Sequence, residues 1–157
     1  MSGPRTLHLA DADAVERLGA AIAARLWPGE AVCLWGPLGA GKSTLARGLI
    51  RALTSPDEEV PSPTFTLVQT YDGVRPDGAT LAVAHLDLYR VARADEAFEL
   101  GLGEALEDGA AVIEWPERLD GALPPDRLDV EIRVPEGGGR ELTLSGHGGW
   151  SGRDVNF

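Results

Sequence analysis

The stretch that most constrains this chain is GPLGAGKS, Gly36–Ser43, set between EAVCLW and TLARGLIRAL. It fits the pattern G-x-x-x-x-G-K-[ST], a glycine-rich turn that leaves a buried strand and enters a helix. Gly36, Gly39 and Gly41 allow the backbone dihedrals and the close approach that turn several N–H groups toward one point. The N-terminus of the following helix adds partial positive charge at that point. A nucleotide's phosphates are therefore expected at Gly36, Pro37, Leu38, Gly39, Ala40, Gly41, Lys42, Ser43 and Thr44. Lys42 is expected to reach the β- and γ-phosphates, and the Ser43 hydroxyl to ligate Mg²⁺. The pattern leaves open whether the γ-phosphate moves to a substrate, drives a machine or times an encounter.

The flanks predict an α/β domain. Thr6–Leu9 alternates like a short strand. A helix follows, capped by Asp11 or Asp13, with Val15, Leu18, Ile22 and Leu26 on one face. After the glycine loop, Leu45, Leu49 and Leu53 form the apolar stripe of a second helix. TSPDEEVPSP reads as a loop, TFTLVQTY (64–71) as a strand, and DGVRPDGA as a hairpin connection. TLAVAHLDLY and GAAVIEW read as core strands, with the helix ARADEAFELGL between them ending near Gly101 or Gly103. RLDVEIRVP and RELTLSGH read as an antiparallel pair joined by EGGG. The expected architecture is a mixed, mostly parallel central sheet flanked by helices, with a C-terminal antiparallel hairpin. One domain is expected over residues 1–147, with a flexible tail over 148–157.

A phosphate loop needs an acidic partner for its metal, usually at the end of a neighbouring buried strand. LAVAHLD delivers Asp87 and AAVIE delivers Glu114. Asp87 is read as a second-shell or direct partner of the metal, Glu114 as a metal ligand or water-orienting base. VPSPTFT supplies a third part. Pro61 and Pro63 stiffen a loop whose Ser62, Thr64 and Thr66 carry hydroxyls. Thr64 is the candidate for a switch contact to Mg²⁺ and the γ-phosphate. The same hydroxyls also suit an ordinary capped turn.

Composition narrows the partners. The net charge is −11 at pH 7. Phosphate backbones demand clustered Lys and Arg, so a chain this acidic is expected to be a poor general nucleic-acid binder, with protein or small-molecule partners favoured. No apolar run approaches the ~20 residues of a membrane span. No basic start followed by an apolar stretch marks a signal peptide. The one cysteine, Cys33, suits a reducing cytoplasm and reads as a structural thiol in a buried strand.

Five blocks taken together carry a resemblance. GPLGAGKSTLARGL, PSPTFTLVQTY, HLDLYR, ELGLGEAL and VIEWPERL follow one another in the order and at roughly the spacing of the bacterial TsaE family, formerly YjeE. The likeness spans about residues 30 to 134. It implies a small ATPase that binds ATP and Mg²⁺ and is needed for the threonylcarbamoyladenosine modification of tRNA. It also implies work with TsaD and TsaB, with tRNA met only through that complex. The family's phosphate-loop lysine and hydroxyl fall on Lys42 and Ser43, and its S-P-T loop on Ser62–Thr64. Its H-x-D-L-Y-R block falls on His85, Asp87, Leu88, Tyr89 and Arg90, and its E-W-P block on Glu114, Trp115 and Pro116. Pro37 stands where many members have Asp, and Ser43 where many have Thr.

Other residues have two readings. His85 lies two before Asp87 and either positions that carboxylate or senses the phosphate, or else sits satisfied in the core. Arg90 is a transition-state arginine or half of an ion pair. If the strand continues through it, Trp115 faces away from Glu114. His8 and His147 have no neighbours at metal-ligand spacing. A small-molecule kinase is the alternative function, and a module that holds ATP without turnover is a third. The acids of SPDEEVPSP and ARADEAFELGLGEALED suit a protein contact better than an anionic acceptor.

Overall fold

The strands Ala31–Trp35 and Ala110–Glu114 are buried along nearly their whole length, as strands covered on both faces must be. A computed structural model, describing residues 3–155 and 157, shows how that cover is built. The elements are β1 (Arg5–Leu9), α1 (Ala12–Ala23), β2 (Ala31–Trp35), α2 (Lys42–Leu53), β3 (Val68–Val74), β4 (Thr80–Asp87), α3 (Ala94–Glu99), α4 (Leu102–Asp108), β5 (Ala110–Glu114), β6 (Arg127–Arg133) and β7 (Arg140–His147). They make one seven-stranded sheet in the order β1-β7-β6-β2-β5-β4-β3. β6, β2, β5 and β4 are mutually parallel, while β3 closes one edge and β7 with β1 the other, all antiparallel.

Each face has its own apolar core. One holds Val32, Leu34, Val112 and Val130 under Leu18, Ile22, Leu45 and Leu49 of the first two helices. The other holds Cys33, Ala111, Ile113 and Leu86 with Leu102 and Leu119. Burial pushes the Cys33 thiol far above its ordinary pKa, so it packs as a small hydrophobe. Asp11 caps α1 by accepting the Ala14 N–H at 2.9 Å. Two glycines set how closely α1 meets α2. A Cβ on Gly19 would come within 2.3 Å of the Leu45 carbonyl oxygen, and one on Gly48 within 2.2 Å of that of Glu16. The pair fixes α2, and with it the phosphate loop, against the N-terminal helix.

Four expectations need correction. The strand expected from Thr64 begins at Val68, because Pro63 to Thr66 form a turn closed by Leu67 N–H to Pro63 O at 2.7 Å. That strand runs on to Val74, so the hairpin turn is shorter than expected, closed by Arg75 N–H to Ala79 O at 2.8 Å. The helix expected over 92–102 is two short helices, divided at Gly101 with φ 101°. The segment from Gly148, expected as a flexible tail, packs back on the domain. Trp150 is 1% exposed and belongs to the core beneath α1 and α2, and Arg153 grips Glu30 through two bonds of 2.7 and 2.8 Å. A buried tryptophan and a bidentate ion pair outweigh the glycine-rich composition that suggested a tail. No helix among the described residues is long and apolar enough to cross a membrane.

Candidate nucleotide site

The cleft forms where the parallel strands end. β2 runs directly into the turn Gly36–Gly41, and α2 begins at Lys42. Gly36, Gly39 and Gly41 all have positive φ, at 149°, 78° and 115°. A side chain is strained at those angles, so the pattern's glycines are required by this backbone. Gly41 is also the N-cap of α2, which aims the helix terminus into the cleft. The cavity holds about 270 Å³ and is lined by the loop, Ser62, Thr64, Asp87, Glu114, Trp115 and Arg140. A larger recess, about 680 Å³, lies at the opposite end of the sheet against the docked C-terminal segment.

The two acids expected at strand ends meet across one strand pair. β4 and β5 are parallel in a register that sets Asp87 beside Glu114. Both are buried, at 4% and 3% exposed. Glu114 is held from two sides. His85 Nε2 lies 2.6 Å from its Oε2, and the Ser43 hydroxyl lies 3.3 and 3.4 Å from its two oxygens. His85 is wholly buried, and its Nδ1 has no hydrogen-bond partner among the described residues. The histidine thus stands against Glu114 on the neighbouring strand and not against Asp87, the carboxylate expected from its own strand. Asp87 accepts the Tyr89 N–H at 3.0 Å and the Thr64 hydroxyl at 3.3 Å. Ser62 and Thr64 hydroxyls are 2.9 Å apart.

Lys42 is drawn back onto the chain. Its ammonium donates to the Gly36 carbonyl at 2.5 Å and lies 3.3 Å from the centre of the Trp115 ring. Burial pushes its pKa below the ordinary lysine value, while Glu114, Glu117 and Asp87 oppose the shift. The contact with Trp115 reverses an expectation. The strand stops at Glu114, and Trp115 takes φ 61° and ψ 51°, so its ring turns over the phosphate loop instead of facing away. A tryptophan in the left-handed region is rare and marks a constrained position. Leu67, φ 69°, is another such residue, and its carbonyl accepts the Asp87 N–H at 2.9 Å.

Arg90 is not among the residues that line the cleft. Its guanidinium stands 4.8 Å from the Phe65 ring, and no carboxylate pairs with it among the described residues. Arg140 lines the cleft, yet nothing in the local sequence pointed to it. It opens β7 after three glycines, 100 positions from Ala40, and only the β1–β7–β6 edge brings it there. The described residues contain no cluster of three or more His, Cys, Asp or Glu placed to hold a metal. The Ser43 hydroxyl stands against the Glu114 carboxylate, and Asp87 lines the same cavity, oxygen donors that suit a hard cation such as Mg²⁺ completed by phosphate and water oxygens.

Fold and loop define an α/β nucleotide-binding protein of the phosphate-loop type. The family model of the threonylcarbamoyl adenosine biosynthesis protein TsaE matches residues 9–142, and the chain belongs to that family. A tRNA threonylcarbamoyladenosine biosynthesis protein TsaE of Treponema pallidum is 37% identical over 130 residues, covering 82% of this chain and 91% of the relative. The Mycobacterium bovis protein of the same name is 38% identical over 154 residues, covering 92% and 89%. The crystal structure of Bacillus subtilis YdiB superposes with a TM-score of 0.75 at 28% identity, covering 95% of this chain and 89% of that one.

Proposed function

We propose that this chain binds ATP with Mg²⁺ in the cleft, hydrolyses it, and so acts as a nucleotide-dependent regulator of a TsaD–TsaB complex that modifies tRNA. The observation that carries the reading is the Ser43–Glu114–His85 chain of contacts beside Lys42, in a member of the TsaE family. On this reading Lys42 leaves the Gly36 carbonyl and the Trp115 ring for the phosphates, which offer its charge a better partner. Ser43 and Glu114 hold the Mg²⁺, with Asp87 close behind, and the bound ion supplies charge neutralisation at the phosphate oxygens. Glu114, kept in place by His85, orients the attacking water or the ion. Asp87 holds Thr64, whose hydroxyl is free to shift toward a γ-phosphate when the loop is ordered.

The surface supports a protein partner over a small acceptor. Phe65 and Leu38, 82% and 70% exposed, have the highest exposure of the large apolar residues described; Leu38 lines the cleft, and Phe65 follows Thr64, which also lines it. Apolar side chains at the mouth of a nucleotide site favour a docked protein that orders the loop. The net charge of −11 suits a chain that meets tRNA through the complex and not by itself. The family's pathway suits a cytoplasmic protein. The test is phosphate release with TsaD, TsaB and tRNA added one at a time. We expect slow hydrolysis alone and strong stimulation by the complex. A full rate without partners, or labelled γ-phosphate on a small acceptor, would reject the regulator and favour the kinase.

A further inference from the structure

We infer that Arg140 is a positioning residue for the phosphate cradle: it clamps the loop's backbone from β7 and thereby aims an amide of the loop into the cleft. Its Nε donates to the Ala40 carbonyl at 2.7 Å, and its Nη2 lies 3.4 Å from the Gly39 carbonyl. Its Nη1 donates to its own neighbour, the Gly139 carbonyl, at 2.7 Å, which ties the guanidinium back to its own strand end. The short bond to Ala40 is the one that matters. A peptide unit is planar, and the chain has no cis bond among the described residues. The carbonyl of Ala40 and the N–H of Gly41 therefore point in opposite directions. Pulling the carbonyl outward to Arg140 sends the Gly41 N–H the other way. The Gly39–Ala40 unit is already committed, because the Ala40 N–H donates to Pro37 O at 3.2 Å. Arg140 thus acts on the Ala40–Gly41 peptide, one residue before the peptide that leads into Lys42.

The clamp is built into the fold. In the β1–β7 register Leu9 stands opposite Arg140. Gly139 before it has φ 72°, and a Cβ there would meet the Leu9 carbonyl oxygen at 2.8 Å. The strand edge therefore leaves little latitude in where Arg140 starts. A guanidinium presents donors in a fixed fork, which a lysine cannot copy. Arg140 thus fixes the loop's shape before any phosphate arrives, and it keeps a positive charge at the rim of the same cavity.

The inference rests on the nucleotide reading for its binding arm only. Calorimetry would compare ATP and inorganic tripolyphosphate on the full chain, wild type against Arg140→Met and Arg140→Lys. Both ligands should weaken by about tenfold, and by similar factors, in both variants. Lysine restoring wild-type affinity would overturn the clamp in favour of simple charge, as would loss of ATP affinity with tripolyphosphate unchanged. The second arm needs no ligand. Amide hydrogen exchange in the free protein should quicken at Ala40, whose N–H donates to Pro37 O, in Arg140→Met, with the protection of β2 and β5 unchanged. Unaltered exchange at the loop would overturn the clamp. Wild-type protein that binds neither ligand would instead sink the nucleotide reading, and the exchange comparison would still decide the role of Arg140.

Discussion

The two walls of the cleft are held in different ways. The strand wall carries His85, Asp87 and Glu114, exposed by 0%, 4% and 3%, each with a partner from the chain. The loop wall carries Ser62, Thr64 and Phe65, and its side-chain ties to the strands are two long bonds of 3.3 Å, from the Thr64 hydroxyl to Asp87 and from the Gln69 amide to the Thr66 hydroxyl. Its exit is fixed by the Leu67 carbonyl accepting from Asp87, while its middle lies on the surface. The difference separates two tasks. Groups that must meet a reacting centre sit on strands whose positions the core dictates, because small displacements are costly there. Groups that must respond to a partner sit where ordering costs little and is reversible.

Substitutions test that division, and the strand side should give the larger effects. Lys42→Ala should abolish productive binding of ATP, with affinity down about a hundredfold or more, since it removes the cation built into the loop. Calorimetry at saturating Mg²⁺ reads this, and unchanged affinity would reject the site. Glu114→Gln should still bind ATP and hydrolyse it about 10²–10³-fold more slowly, because the carboxylate acts on the transition state more than the ground state. Loss of binding with this variant, together with normal binding by Asp87→Asn, would exchange the roles of the two acids.

The loop side should yield subtler changes. Thr64→Ala should lower complex-stimulated turnover by about tenfold while the slow rate of the isolated chain barely changes. Phe65→Ala should raise the concentration of TsaD–TsaB needed for half-maximal stimulation by a similar factor, leaving ATP affinity alone. Equal loss with and without partners would show that the loop is part of the fixed site and that the two walls do not differ.

The smallest expected effect concerns stability. The folded-state pKa of Lys42 lies below its ordinary 10.5, so the ionised lysine costs the free protein some stability. That cost is fully present below the folded value and shrinks as pH rises from there toward 10.5. Lys42→Met should therefore melt at a higher temperature than wild type near neutral pH, and the gap should close in alkaline buffer. A variant that melts lower at every pH would mean that the Gly36 carbonyl and the Trp115 ring compensate the ammonium fully.

The parts legible in the residue order were those written locally. A run of buried residues, a glycine turn and an amphipathic helix are neighbours in the chain, so the phosphate loop and its flanks could be read directly. Asp87 and Glu114 were legible because each ends an apolar run. Pro63 misled in the opposite direction: it stiffens a turn, while the β-branched and aromatic residues after it mimic a strand that starts four residues later. Trp115 misled because strand alternation assumes a strand, and the backbone turns left-handed as soon as Glu114 is placed. The glycines near Trp150 suggested a tail, since composition carries no record of what a lone tryptophan can bury.

Taken without its fold, the residue order determined that a glycine-rich turn of the phosphate-loop pattern lies at Gly36–Ser43, that two acids end core strands, and that the blocks are those of the TsaE family. Those features depend on chain connectivity, which is the sequence itself. The fold alone decided that Glu114 lies between His85 and Ser43, that Trp115 covers Lys42, and that Arg140 reaches Ala40. Each of these joins elements set by strand order and register across a sheet, between residues 29, 71, 73 and 100 positions apart. Strand order and register follow from burying both faces of the whole sheet at once, so no local stretch contains them.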